Sequence, residues 1–372
     1  MTNPFIGRRI ALLREEMAMT QADLAEKLGF RHRQSLQAIE AGERNVSVDE
    51  LMKLIEISGR SIEFFTDPFL WVGEGAFSFR AESPSTSVVR DFEKTAGSWI
   101  MIWRWLCEIN ELRPTSRPDL GIHTRSTFED VGEIAGRIVS WFGLGEVPAM
   151  KLGPRLESEL LIPVLYVDIP DGISGATFHN GAMNAILINR KDAAGRRNFD
   201  LAHEFFHALT WENLPPARMD NDQPEDKTSK RREQLANVFA SALLMPDSSV
   251  RKSWRNALPE SNDTISIATF VHEGAEHFQV STSAFAWRLV TLGLIEEQKC
   301  KESLSIIDSD LKSDARTPSE PPLFSMFFLE QLARAIGNGI ISARKAASLL
   351  MLDVDELEVA FESHDIAVPF DL

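Results

Sequence analysis

The chain has 372 residues, enough for two or three domains and a sizeable core. Its formal charge is −16; residues 67–372 carry 30 basic against 45 acidic side chains, which excludes a general nucleic-acid surface over the body of the protein. Two distant cysteines, Cys107 and Cys300, give neither a metal spacing nor a disulfide framework, so a reducing cytoplasm is the expected setting.

The first elements are helical. GRRIALLREEMAMTQADLAEKLGF reads as an amphipathic helix, then Thr20 as an N-cap forming a capping box with Asp23, then a short helix ending at Gly29. The polar, amphipathic start is not a signal peptide. A third helix in RHRQSLQAIEAG ends at Gly42. Two helices joined by a short glycine-containing turn are what a helix-turn-helix needs. TQADLAEKLG and IEAGERNVSVDELMKL resemble the Cro/repressor-type (XRE) helix-turn-helix family. The reading helix is expected to start near His32 or Arg33. Arg33, Gln34 and Gln37 then face base edges, with Gln21 and Arg44 on phosphates and Arg31 adding local positive charge. Residues 1–66 hold 9 basic and 10 acidic side chains, so a helical bundle used only for protein contacts is the competing reading.

An aromatic-rich link follows over 56–80. Helices are expected over about 88–112 and 127–142, separated by RPTSRPDLG. SWIMIWRWLCEI is short and broken by Arg104, so it reads as a buried helix carrying Trp99, Trp103 and Trp105, and no segment is expected to span a membrane. Three strand-like runs come next, LLIPVLYVDI, GISGATFH and NAILINR, with turns at Asp171-Gly172 and Asn180-Gly181. An exposed edge of this small sheet is able to pair with an extended peptide. Tyr166 and His179 are candidates for holding an oxyanion, against ordinary structural roles.

RRNFDLAHEFFHAL carries the chemistry. His203 and His207 are four apart, on one helical face, so both imidazoles reach one cation. Glu204 lies about one hundred degrees round the helix, near enough to reach water on the metal without ligating it. Asn198 or Asp200 is expected to cap or flank the helix start. A polar, proline-containing loop leads to a second helix from about Lys230 to Pro246. Its Glu233 is a third ligand or else a solvated helix-end carboxylate, and Asn237, one turn on, is placed to hydrogen-bond a ligand imidazole. EGAEHFQVSTSAFAWRLVTLGLI gives a helix, a turn at Val280-Ser281 and a capped helix. His272 and His277 are spaced poorly for a second metal, and Arg288 faces a cleft or binds a carboxylate. A linker is expected over 301–322 and a helical module over 323–372, which dimerises, contacts substrate or covers the site.

ILINRKDAAGRRNFDLAHEFFHAL, EQLANVFASALLMP and VSTSAFAWRLVTLGLI together resemble the ImmA/IrrE metallopeptidase family over roughly 75–296. The resemblance implies a gluzincin-like domain, with Zn2+ on His203, His207 and Glu233, Glu204 as the base, and a protein substrate, often a transcriptional repressor. The expectation is an α+β multidomain protein: a helix-turn-helix over 1–66, a metallopeptidase domain over 67–300, the linker and the C-terminal helical module. It is read as a zinc endopeptidase coupled to sequence-specific DNA binding, with a homodimer allowed. The rival is a non-catalytic transcriptional regulator or antitoxin-like protein with a structural or sensing zinc site.

Overall fold

The structure is a computed structural model describing all residues except 1–3, 74, 82–85, 116–119, 182, 216–226, 258–262, 311–319 and 372. Parts of the expected loops at 113–121 and 212–232 and of the linker therefore lie outside the described residues.

Five helices make the N-terminal unit: α1 (Pro4–Glu16), α2 (Gln21–Leu28), α3 (Arg33–Glu40), α4 (Val48–Ser58) and α5 (Ile62–Thr66). Their ends follow from single residues. Thr20 and Asp23 form the expected capping box, Gly29 ends α2 at φ 81°, and Ser47 with Glu50 starts α4 in the same way. Ile10, Leu13, Leu24, Leu28, Leu36, Ile39 and Leu54 are buried together. A Cβ on Gly7 would lie 2.1 Å from the Ile39 carbonyl, so only glycine lets α1 approach α3 this closely. Phe5 sits between Arg9 and Arg104, which joins this unit to the next helix.

The chain then enters β1 (Ala76–Ala81), α6 (Thr86–Ile109), α7 (Phe128–Trp141, capped by Thr127) and α8 (Leu152–Leu160). Strands β2 (Val164–Val167), β3 (Ile173–His179) and β4 (Asn184–Asn189) complete a four-stranded sheet of order β1-β3-β4-β2. The Asn180-Gly181 turn makes the expected antiparallel β3–β4 hairpin, and β2 pairs with β4 in parallel. β1 corrects the reading of 56–80 as a link throughout: residues 76–81 pair antiparallel with β3. Its partner is almost a hundred residues away, so the short Phe77-Ser78-Phe79-Arg80 alternation does not by itself announce the pairing. β1 and β2 are the sheet's edges.

Alternate side chains of the strands enter two cores. Val164, Ile186 and Ile188 pack on one face with α7, α8, α9 (Ala194–Thr210), α10 (Lys227–Leu244), α12 (Thr264–Phe278) and α13 (Thr282–Thr291). Between α10 and α12 lies α11 (Asp247–Ala257). Ala176, Phe178, Ala185 and Leu187 pack on the other face with α6 and the C-terminal helices α15 (Met326–Gly337), α16 (Ala343–Leu350) and α17 (Val354–Glu362). The described part of the expected C-terminal helical module, residues 323–371, thus shares one core with α6 and the sheet. Trp99 donates to the Leu350 carbonyl at 3.3 Å and meets Phe324 edge-on at 5.6 Å. These helices cover the face opposite α9. Residues 301–310, read as the start of a linker, are helical: α14 runs Glu297–Asp310 and packs on α12 and α13. The protein is α+β and multidomain. No helix among the described residues is long and apolar enough to cross a membrane.

Candidate metal centre

Helix α9 begins at Ala194, earlier than its sequence suggests, so Asn198 and Asp200 are interior and do not cap it. Asn198 instead donates to the Gln279 carbonyl at 2.8 Å, tying α9 to the turn before α13. Leu201, Ala202, Phe205 and Phe206 fill the core against Phe239 and Leu235 of α10. That packing brings Glu233 back over His203 and His207.

The three donors converge. His203 Nε2 lies 3.1 Å from His207 Nε2 and 3.1 Å from Glu233 Oε2, and His207 Nε2 is 3.6 Å from Glu233 Oε1. Two donors bound at about 2.0–2.1 Å to one tetrahedral ion lie roughly 3.3 Å apart, so these spacings fit a single shared cation. Asn237 Oδ1 accepts from His203 Nδ1 at 3.0 Å, which turns the Nε2 lone pair toward the other donors. Among the described residues His207 Nδ1 has no hydrogen-bond partner. Burial pushes the Glu233 carboxyl up, but the two imidazoles override it and hold it well below the usual carboxylate range. Both histidines are buried, while the Glu233 side chain is 43% exposed, so the centre opens to solvent on the α10 side.

Glu204 is buried against β3. Thr177 Oγ1 lies 2.7 Å from Glu204 Oε2 and 3.0 Å from its carbonyl. Sequence reasoning missed Thr177. The only available signal was a small residue, Gly175, two positions before a hydroxyl on one strand face; a Cβ on Gly175 would lie 3.5 Å from Glu204 Cγ.

His179 and Tyr166 lie towards opposite ends of α9. His179 Nδ1 is 2.6 Å from Asn184 Oδ1, Asn184 donates to the Ala208 carbonyl, and the imidazole stacks on Trp211. Tyr166 faces Glu157 and Arg197, and burial, reinforced by Glu157, pushes its hydroxyl up to about 12. Arg197 and Trp211 are about 20 Å apart along the helix, so the two candidates do not converge on one oxyanion. Arg288 is buried, its Nε donates to the Met245 carbonyl at 3.0 Å, and no carboxylate among the described residues pairs with it.

In the N-terminal unit α3 buries Leu36 and Ile39 and exposes Arg33, Gln34 and Gln37 on its other side, with Arg31 exposed just before it. Gln21 and Arg44 are engaged within the protein. Gln21 donates to Glu40 at 2.8 Å; Arg44 pairs with Glu50 at 2.7 Å and lies over the Phe30 ring.

Residues 10–65 match the helix-turn-helix family, and residues 159–290 match the peptidase M78 family, described as an IrrE N-terminal-like domain. The chain joins a helix-turn-helix to an IrrE N-terminal-like domain. The matched 159–290 stretch runs from the end of α8 to α13 and contains all three donors. No curated protein matches the chain. Among solved structures, the apo form of the competence regulator ComR from Streptococcus vestibularis is similar at 14% identity, covering 98% of this chain and 99% of that one. Its TM-score is 0.16, too low to carry an argument about fold or function.

Proposed function

We propose that the protein is a zinc-dependent endopeptidase acting on a protein substrate, a repressor-type transcriptional regulator, and that its N-terminal unit binds a specific DNA sequence. One observation carries the catalytic half: three donors from two helices gather within the span of one ion, and Glu204 directly follows the donor His203 on α9 without belonging to the donor set. The match of 159–290 to a peptidase family supports it.

His203, His207 and Glu233 would hold the ion. Bound zinc supplies Lewis acidity that polarises a peptide carbonyl and acidifies water. Glu204, whose Oε2 is held by Thr177, takes the proton and returns it to the leaving amine. Asn237 keeps the His203 ring from rotating. His179, beside the C-terminal end of α9, is the better placed of the two oxyanion candidates. Arg33, Gln34 and Gln37 read base edges, while Arg31 contacts phosphate and Gln21 and Arg44 reach it by exchanging their present partners. Tethering to DNA raises the local concentration of peptidase beside a substrate bound at the same operator.

A second reading, a non-catalytic regulator whose metal is structural or sensing, is favoured by the burial of Glu204 (1% exposed). Comparing Glu204→Gln with wild type separates the two. With zinc content equal in both, N-terminal proteomics of cells is expected to find new termini in a DNA-binding regulator only with wild type, and turnover of that regulator falls at least ~100-fold in the variant. Identical termini with unchanged promoter control would hand the site to the second reading.

A further inference from the structure

Behind the His203 ring, between α9, α10 and α13, lies a cavity of about 590 Å³. Arg196, Asp200, Asn237, Trp287 and Arg288 are among its walls. Its volume falls in the range of small-molecule sites, and its lining is largely apolar.

Arg288 is the anomaly. It is only 8% exposed, and a charge so deeply buried is normally neutralised by a carboxylate. Its one hydrogen bond among the described residues uses Nε, and the residue lines the cavity. Burial pushes the guanidinium down to about 10, with Asp247 only partly offsetting it. The other charges on the walls are Arg196 and Asp200, whose Nε and Oδ2 are 3.7 Å apart and largely cancel. In a chain of net charge −16, this leaves a positive site, built on the buried Arg288, in a half-open cavity with an apolar surround.

We propose that the cavity binds a small carboxylate with an apolar body, its two oxygens on the terminal nitrogens of Arg288 and its body against Trp287 and Phe199. A planar guanidinium accommodates a carboxylate in two parallel hydrogen bonds. Asn237 lines the same cavity and holds His203, so an occupant touches the residue that orients a metal donor. Occupancy needs no metal, so failure here and failure of the peptidase reading are separable.

The test is calorimetric titration of hexanoate and its uncharged isostere hexanamide into full-length protein, with and without zinc. Hexanoate is expected to bind at least tenfold more tightly. Arg288→Met should erase that preference, and Ser241→Phe, which fills the cavity, should abolish both. Should Arg288→Met fail a circular-dichroism test of folding, the acid–amide ratio and Ser241→Phe still decide. Competition by an acetylated, amidated pentapeptide with a central glutamate would assign the carboxylate to a polypeptide side chain; absence of competition assigns it to a free acid. Equal affinities for acid and amide, no hexanoate binding at millimolar concentration, or binding indifferent to Ser241→Phe would overturn the proposal.

Discussion

Asn237 is the residue on which the metal centre's geometry leans most. It is the hydrogen-bond partner of His203 Nδ1, whereas His207 Nδ1 has none among the described residues. Asn237→Ala is therefore expected to weaken zinc affinity by about 10- to 100-fold, read by competition with a chelator; an unchanged affinity would show that packing alone orients the ring. Glu157 makes a different point. It accepts from Ser325 and from the Val164 amide, yet burial outweighs both and pushes its carboxyl up to about 8. The folded protein keeps this proton up to about pH 8, while the unfolded chain releases it near its ordinary value of 4.5. Between those values the unfolded state binds fewer protons, so stability falls as pH rises, by on the order of 5 kcal/mol across the window. Glu157→Gln should flatten that profile in urea denaturation at pH 5, 6.5 and 8; a slope equal to wild type would exclude the group.

At the scale of elements, the seat of α9 decides whether the site forms. A Cβ on Gly195 would lie 2.5 Å from the Val280 carbonyl carbon and 2.7 Å from the Ser281 nitrogen, both backbone atoms. Gly195→Ala must push α9 off the turn that Asn198 also grips, at a cost of roughly 1–3 kcal/mol. Thermal denaturation reads this as a lowered Tm, and an unaltered Tm would show that the helix start can shift freely. Capping made much of this level legible in advance: Thr20 and Thr127 mark helix starts, and Asn180-Gly181 marks a hairpin, because each acts through atoms a few residues away. The start of α9 misled, since Asn198 and Asp200 have cap chemistry but lie inside the helix, Asn198 bonded to the Gln279 carbonyl and Asp200 beside Arg196 one turn back. β1 was invisible because its pairing with β3 is made across the whole of α6, α7 and α8.

For the whole molecule, charge confines any DNA contact to one end. The body carries a net −15 and repels a duplex, while α3 and its approach present Arg31 and Arg33 with Gln34 and Gln37. Arg33→Ala is expected to cost about 1–3 kcal/mol on a duplex selected from a random-sequence library and to relax specificity there, measured by fluorescence anisotropy against a scrambled duplex. Equal losses on both duplexes would make Arg33 a phosphate contact. The two cores on either face of the sheet have a further consequence. The C-terminal helices are a structural layer, because Trp103 packs on Phe327 and Phe328 and Trp99 bonds the Leu350 carbonyl, and without those helices both indoles would lose this cover.

By themselves the residues marked out the helix-turn-helix, the helix α9 and the shared face of His203 and His207, because each rests on the periodicity of one helix or on neighbours within a turn or two. The sequence also named Glu233 and Asn237, since their i,i+4 spacing puts both on one face of α10. Whether that face meets His203 was decided only by the packing of Phe239 between Phe205 and Phe206. Tertiary structure alone supplied Thr177 beneath Glu204, the edges of the sheet and the burial of Arg288 without a carboxylate in ion-pair contact among the described residues. Each of these joins residues from separate elements, and a chain's order does not encode which of its faces will exclude water together.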